Sequence, residues 1–268
     1  MTDHIAALPM YDWSERQSEV DAEWAAISER MRAAGIPSPL ELTRRNSDMP
    51  AVEGGIADVH GMPLAPDPAT LPPDELHLPA VWNHPKLIFG QTCWGPIELG
   101  LIQNAIVIGQ PDYSGFEGGH GELYSSAIVM SRVAASGDVP PRSDGAAIPV
   151  DRLRGRRFVF NSSDSMSGVI ALSRDLEAMG ESLDIFSERF LSGGHRNSII
   201  AVASGEAEVA AIDCTSWALA KRHEPAAEEL QVVGWTAPRK GLPFIASRHL
   251  PANLINTLRR LCKSRFRA

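Results

Sequence analysis

Three times between Arg157 and Trp217 a short apolar run breaks into a loop of small polar residues and then into a helix-patterned stretch. In the first, Arg157 to Phe160 lead into Asn161-Ser162-Ser163-Asp164-Ser165-Met166-Ser167-Gly168. Val169, Leu172, Leu176 and Met179 follow at helical spacing, with Gly180 as a stop. The second runs from Ile185 to Phe190, passes Ser192-Gly193-Gly194-His195, and continues with Ile199, Val202 and Ala203 inward until Gly205. The third is Val209 to Ile212, then Asp213-Cys214-Thr215-Ser216-Trp217 opening a helix. Strands alternating with helices in this way predict an open, largely parallel α/β sheet with helices packed on it.

The N-terminal region begins in the same manner. Ile5 to Leu8 read as a strand and Pro9 to Trp13 as a turn, and Ser14 with Gln17 fit a capping box. Val20, Trp24, Ile27 and Met31 recur at helical spacing before Gly35. Lys86 to Gly90, Ala105 to Gly109, Ser126 to Met130, Leu230 to Trp235 and Gly241 to Phe244 are further strand candidates. A final amphipathic helix carries Leu250, Leu254, Leu258 and Leu261. Between Arg45 and Leu78 the prolines Pro50, Pro63, Pro66, Pro68, Pro72 and Pro73 interrupt any periodicity, which predicts a long surface loop or mobile flap, or a disordered insertion without function. At 268 residues the chain has room for two α/β lobes.

Charge narrows the partners. A net charge of −8 argues against nucleic acid, whose phosphates need a basic face. The basic run Arg259, Arg260, Lys263, Arg265 and Arg267 reads as a solvated helix end complementing the helix dipole. No apolar stretch approaches the roughly 20 residues that cross a bilayer, and Met1-Thr2-Asp3-His4 lacks a basic leader with an apolar segment behind it. The chain as written reads as either cytoplasmic or already processed, and as a monomer. Cys93, Cys214 and Cys262 have neither metal-ligand nor disulfide-framework spacing, and no cofactor or metal motif is present.

In open α/β sheets ligands sit beyond the carboxyl ends of strands. Residues at those positions are Tyr11, Asp12, Gln91, Thr92, Cys93, the Ser162 to Ser167 loop with Ser163, Ser165, Met166 and Ser167, His195 and Asp213, with Tyr124 as a further wall. A helix start lined by hydroxyls cradles an oxyanion through unpaired amides and the helix dipole, without a lysine or arginine. The same serines also serve as ordinary helix caps, and so does Asp213. His195 reads equally as a donor to an oxyanion or as a capping histidine. Cys93, in Gln-Thr-Cys-Trp-Gly, reads as a pocket-lining thiol, or as a nucleophile if a histidine lies within reach.

Taken in series, Asn161-Ser162-Ser163-Asp164-Ser165-Met166-Ser167-Gly168, Ser192-Gly193-Gly194-His195-Arg196, Gly205-Glu206-Ala207, Asp213 and Gly241-Leu242-Pro243 resemble the phosphate/phosphonate substrate-binding proteins of ABC transporters. Leu8-Pro9-Met10-Tyr11 and Gly90-Gln91-Thr92-Cys93 resemble a short-form branch of that family. The resemblance implies a type II periplasmic-binding fold, two Rossmann-like lobes joined by two crossover strands. Lobe 1 is then expected at residues 1–103 plus 219–268, with an insertion at 45–78, and lobe 2 at 104–218.

It also implies reversible binding of a small anion in an interlobe cleft, and a transporter permease as partner. Ser165, Ser167 and the Met166 backbone would hold the oxyanion and His195 would donate to it. Tyr11, Gln91, Thr92, Cys93 and Asp213 would face the rest of the ligand. Family members are periplasmic or membrane-tethered. A cytosolic sensor, or an enzyme using Cys93 or His195, is the alternative on the same scaffold.

Overall fold

The computed structural model describes residues 3–136 and 139–263. In chain order the strands of the two main sheets are β1 (Ile5–Ala7), β2 (Leu87–Gln91), β3 (Ala105–Gly109), β4 (Ser126–Ser131), β5 (Arg157–Phe160), β6 (Glu188–Leu191), β7 (Val209–Asp213), β8 (Leu230–Trp235) and β9 (Phe244–Ser247). The principal helices are α1 (Gln17–Ala33), α2 (Ala171–Ala178), α3 (His195–Ala203), α4 (Cys214–His223) and α5 (Ala252–Cys262). Among the described residues, no helix is long and apolar enough to cross a membrane.

The chain divides into two units, residues 3–111 with 242–263, and residues 112–241. These boundaries differ from the expected 103/104 and 218/219, and strand pairing is the reason. β3 bonds to β9 in the first unit, so residues 104–111 belong there. β8 bonds to β4 in the second unit and holds residues 219–241 with it.

The first unit has the sheet order β1-β2-β9-β3, with β1 and β2 parallel and β9 antiparallel to both of its neighbours. Because side chains alternate across a strand, this sheet must be covered on both faces. Ala6, Ile88, Phe244 and Ala246 point into a cluster with Val20, Trp24, Ile27 and Met31 of α1 and Ile255, Leu258 and Cys262 of α5. Ile5, Ala7, Leu87 and Ile245 face the other way, onto Met49, Ile56, Ala65, Ala80, Val81 and Trp82.

That second cover corrects the reading of residues 45–78 as a flap. The segment folds into short turns and a two-stranded ribbon, Ile56–Ala57 with Pro63–Ala65. Asn46, only 1% exposed, pins it by donating to the Pro72 carbonyl (2.8 Å) and accepting from the His77 amide (2.8 Å). Without this layer one face of the sheet would lie in water. The prolines suppress periodicity but leave buried apolar residues between them.

The capping box at Ser14 does not form. Ser14 bonds to its neighbour Glu15, and the chain enters α1 through a tight turn in which the Arg16 amide donates to the Trp13 carbonyl (2.8 Å). The last strand begins at Phe244, not Gly241, because Gly241 is fixed by a close packing contact and Pro243 has no amide to give a ladder. The expected strand at Ile185 to Phe190 is likewise shifted, with Leu183–Ile185 forming a helical turn before β6. In the basic C-terminal run, Arg259 and Arg260 do occupy the last turn of α5, while Arg265 and Arg267 lie outside the described residues.

His84 is fully buried, its Nδ1 accepting from the Lys86 amide (3.1 Å) and its Nε2 against the Pro50 carbonyl (3.1 Å). This pairing needs the neutral ring, and burial lowers its pKa from the usual histidine value. The unfolded chain therefore takes up protons first as pH falls, so stability is full above about 6.5, the free histidine value, and declines below it. The melting temperature is expected to fall from pH 7 to pH 5, and less steeply in His84→Gln, which keeps a donor and an acceptor without a titrating ring. Parallel pH profiles for the two proteins would contradict this assignment.

The second unit has the order β6-β5-β7-β4-β8, with β5, β6 and β7 mutually parallel and β4 antiparallel to both β7 and β8. One face packs Phe158, Val209 and Ala211 against Val169, Leu172 and Leu176. This topology brings the ends of β5 and β7, the start of β4 and the first residues of α3 to one edge of the sheet.

Candidate functional site

At that edge the loop after β5 turns into α2 through a widened first turn. The Ser165 carbonyl accepts from both Val169 (3.3 Å) and Ile170 (3.1 Å), the second bond spanning five residues. Such widened turns are frequent at functional sites. Ser165 Oγ accepts from the Gly168 amide (3.0 Å), so its hydroxyl proton is left to donate. Ser165 and Ser167 are 4% and 3% exposed, and their hydroxyl oxygens lie 3.5 Å apart. A glycine is required at 168. A Cβ there would stand 1.8 Å from Asn161 Oδ1 and 3.0 Å from Ser165 Oγ.

His195, at the start of α3, reaches this turn. Its Nε2 lies 2.9 Å from Ser167 Oγ and 3.3 Å from Asp213 Oδ2. The Asp213 carboxylate only accepts, so the facing nitrogen carries the ring proton. Burial lowers the His195 pKa and Asp213 opposes that shift in part, which keeps the imidazole neutral at neutral pH. Ser167 Oγ thus shares the Nε2 proton and turns its own proton away from the ring. Asp213 itself ends β7 and caps α4, Oδ1 accepting from the amides of Thr215 (3.0 Å) and Ser216 (2.9 Å). Capping and ring orientation are carried by the two oxygens of one carboxylate.

Serine, histidine and aspartate in contact invite a hydrolase reading, and the geometry argues against it. A catalytic triad needs serine on one ring nitrogen and the carboxylate on the other, so that the first can take the serine proton. Here both share Nε2, and Nδ1 is buried without a hydrogen-bond partner.

A profile for the family described as "ABC transporter, phosphonate, periplasmic substrate-binding protein" matches residues 121–263, more than half of the chain. The chain belongs to this family. Solved structures agree on the fold. PhnD1 of Prochlorococcus marinus, in complex with methylphosphonate, superposes with a TM-score of 0.63 at 15% identity over 98% of this chain and 84% of that one. The binding-protein component of an ABC phosphonate transporter from Pseudomonas aeruginosa gives 0.58 at 13% identity, covering 96% and 72%. XAC2383 of Xanthomonas citri bound to ATP gives 0.56 at 14%, covering 97% and 82%. No curated protein sequence matches the chain.

The fold is therefore that of the type II periplasmic-binding proteins. The phosphonate-binding family is periplasmic and its members are substrate-binding proteins, so the cytoplasmic placement drawn from the N-terminal residues finds no support.

In this member of the phosphonate-binding family the expected site residues fall into three groups. Ser165, Met166, Ser167, His195 and Asp213 come together on the second unit, with the Met166 side chain buried. Ser163, by contrast, is exposed. Tyr124 belongs to a small ribbon of the same unit and stacks on Tyr113 at 5.4 Å between centroids. Tyr11, Gln91, Thr92 and Cys93 gather on the first unit, at the carboxyl ends of β1 and β2. There the Trp82 indole donates to the Gln91 carbonyl (3.0 Å), and the Thr92 amide donates to the Pro243 carbonyl (3.2 Å). Thr92 Oγ1 is buried without a partner, and Cys93 is 5% exposed at the head of the turn Trp94–Glu98. His84, the histidine nearest Cys93 in the chain, has both ring nitrogens engaged elsewhere and so does not serve it as a base.

Two residues escaped the sequence reading. Asn161 was visible only as part of a motif, yet its Oδ1 is buried beside Gly168 and Ser165 without a partner. Ser126 pairs directly with Asp213 across the antiparallel β4–β7 ladder, so the two side chains share a face, and Ser126 Oγ is also buried and unpartnered. No local signal marks Ser126. Its place depends on a pairing 87 positions apart in the chain.

Proposed function

We propose that this substrate-binding protein holds a small phosphonate-like oxyanion at the Ser165–Gly168 turn of the second unit and serves a transporter permease. The observation that carries the reading is the Ser167–His195 contact of 2.9 Å. With Ser165 Oγ accepting from the Gly168 amide, both buried hydroxyls can turn their protons to a guest that displaces the 3.5 Å contact between them. The first amides of the turn and the helix dipole add to them. Neutral donors suffice once water is excluded, because hydrogen bonds to charged groups are worth about twice those between neutral ones. His195 acts here by orienting Ser167.

Isothermal titration with methylphosphonate, phosphate and sulfate tests the reading. A dissociation constant in the micromolar range, corresponding to about −8 kcal/mol, is expected for at least one of them. Binding no tighter than about 1 mM for all three would refute it.

A further inference from the structure

From Leu230 to Ala268 the sequence holds eight Arg and Lys and no Asp or Glu, whereas residues 1–229 hold 17 against 33. A chain of net charge −8 thus divides into a segment of +8 and a remainder of −16. Such asymmetry within one chain points to an anionic partner. The fold places part of the basic segment on α5, a helix with no carboxylate of its own. Its apolar residues Ile255, Leu258 and Cys262 turn into the core of the first unit. Asn253, Asn256, Thr257, Arg259, Arg260 and Lys263 line an open groove on its exposed side. Arg30, near the end of α1, adjoins this face by donating to the Leu261 carbonyl (3.4 Å).

The cations of the groove are not spent on internal ion pairs. Arg260 donates to Thr257 Oγ1 (2.9 Å) and Arg259 to the Val107 carbonyl (3.3 Å). Among the described residues, neither these two nor Lys263 pairs with a carboxylate. Complementing the helix dipole accounts for cations in the last turn of α5. It does not account for the lack of any balancing acid.

We propose that this face of α5 docks the protein reversibly on a membrane surface bearing anionic phospholipid headgroups. A protein partner fits less well, because protein interfaces close around a dry centre of aromatic and aliphatic anchors. None of the large exposed hydrophobic residues of the described chain lies on α5. A headgroup layer needs only charge, with neutral donors such as Asn253, Asn256 and Thr257 for its phosphate oxygens. Each Arg or Lys held at such a surface strengthens binding about fivefold. Acids elsewhere on the chain do not cancel this at about 0.1 M salt, where exposed charges beyond about 10 Å are screened.

The test is co-sedimentation of the full chain with phosphatidylcholine vesicles containing about one-third phosphatidylglycerol, beside vesicles of phosphatidylcholine alone. At about 0.1 M salt the protein is expected to sediment with the anionic vesicles only, and to be released at about 1 M, where the screening length shrinks to about 3 Å. Arg260→Gln with Lys263→Gln should weaken partition about 25-fold and leave melting unchanged, since neither residue gives up an ion pair. Arg142→Gln with Arg222→Gln removes the same charge from exposed positions of the second unit and should change partition by less than about twofold. Equal loss in the two double variants would reduce the effect to net charge and overturn the proposal. Equal sedimentation with the neutral vesicles would also overturn it. Retention of the chain on immobilised poly-glutamate, with no binding to anionic vesicles, would assign the face to an acidic protein surface and overturn the membrane; binding to neither would leave α5 a solvated helix.

Discussion

Gly241→Ala is expected to destabilise the protein by about 3 kcal/mol, at the upper end of what overpacking a filled core costs. A Cβ on residue 241 would lie 2.0 Å from Cε2 and 2.3 Å from Cζ of Tyr113. Tyr113 has nowhere to retreat. It is 0% exposed and stacks on Tyr124, itself 3% exposed. The backbone of residue 241 is held as well, its amide donating to the Glu122 carbonyl (2.9 Å). At roughly 2–4 °C per kcal/mol for a domain of this size, the melting temperature should drop by roughly 6–12 °C. Gly115→Ala is the control, since nothing lies within 4 Å of a Cβ there. Its expected effect is within about 0.5 kcal/mol, as for other open surface sites. Equal melting of the two variants would show that the Tyr113 contact is not tight.

Removing both hydroxyls, Ser165→Ala with Ser167→Ala, is expected to weaken oxyanion binding by roughly 100-fold or more, since each hydrogen bond to a charged group is worth about 1.5–3 kcal/mol. The two serines separate cleanly by their effect on the empty protein. Ser165 Oγ caps the turn, so Ser165→Ala should also cost about 1 kcal/mol of stability. Ser167→Ala removes no cap and leaves His195 Nε2 on Asp213, so apo melting should stay within about 0.5 kcal/mol while affinity falls roughly tenfold or more. Unchanged affinity in Ser167→Ala, measured by calorimetry with methylphosphonate, would show that this hydroxyl faces nothing but the imidazole.

The repeated strand, polar loop and helix of residues 157–217 made the α/β class readable, because each β-strand end and helix start is written locally in small polar residues. The late Gly241-Leu242-Pro243 was readable as a motif but not as a cause. Its reason is the Tyr113 ring, 128 positions earlier in the chain. Residues 45–78 were misread because prolines abolish periodicity without abolishing burial, and only the exposed second face of the β1-β2-β9-β3 sheet explains why they must pack. Within the site, the serine loop announced itself by composition. Ser163 is exposed in the tight turn closed by the Ser165 amide on the Ser162 carbonyl (3.2 Å), whereas Ser165 and Ser167 are buried at the widened turn that follows, a division composition alone does not mark. The double duty of Asp213, cap through one oxygen and partner of the His195 ring through the other, was beyond a reading that weighed it only as a cap or as a contact to the ligand.

Amide chemical shifts followed by two-dimensional NMR during a methylphosphonate titration test the central claim most directly. The largest changes are predicted at Ser165 to Val169 and at His195, with the Ser167 amide moving downfield as it gains a charged acceptor. Saturable shifts confined to other parts of the chain, with the Ser165 to Val169 amides unmoved, would contradict the placement of the oxyanion at this turn.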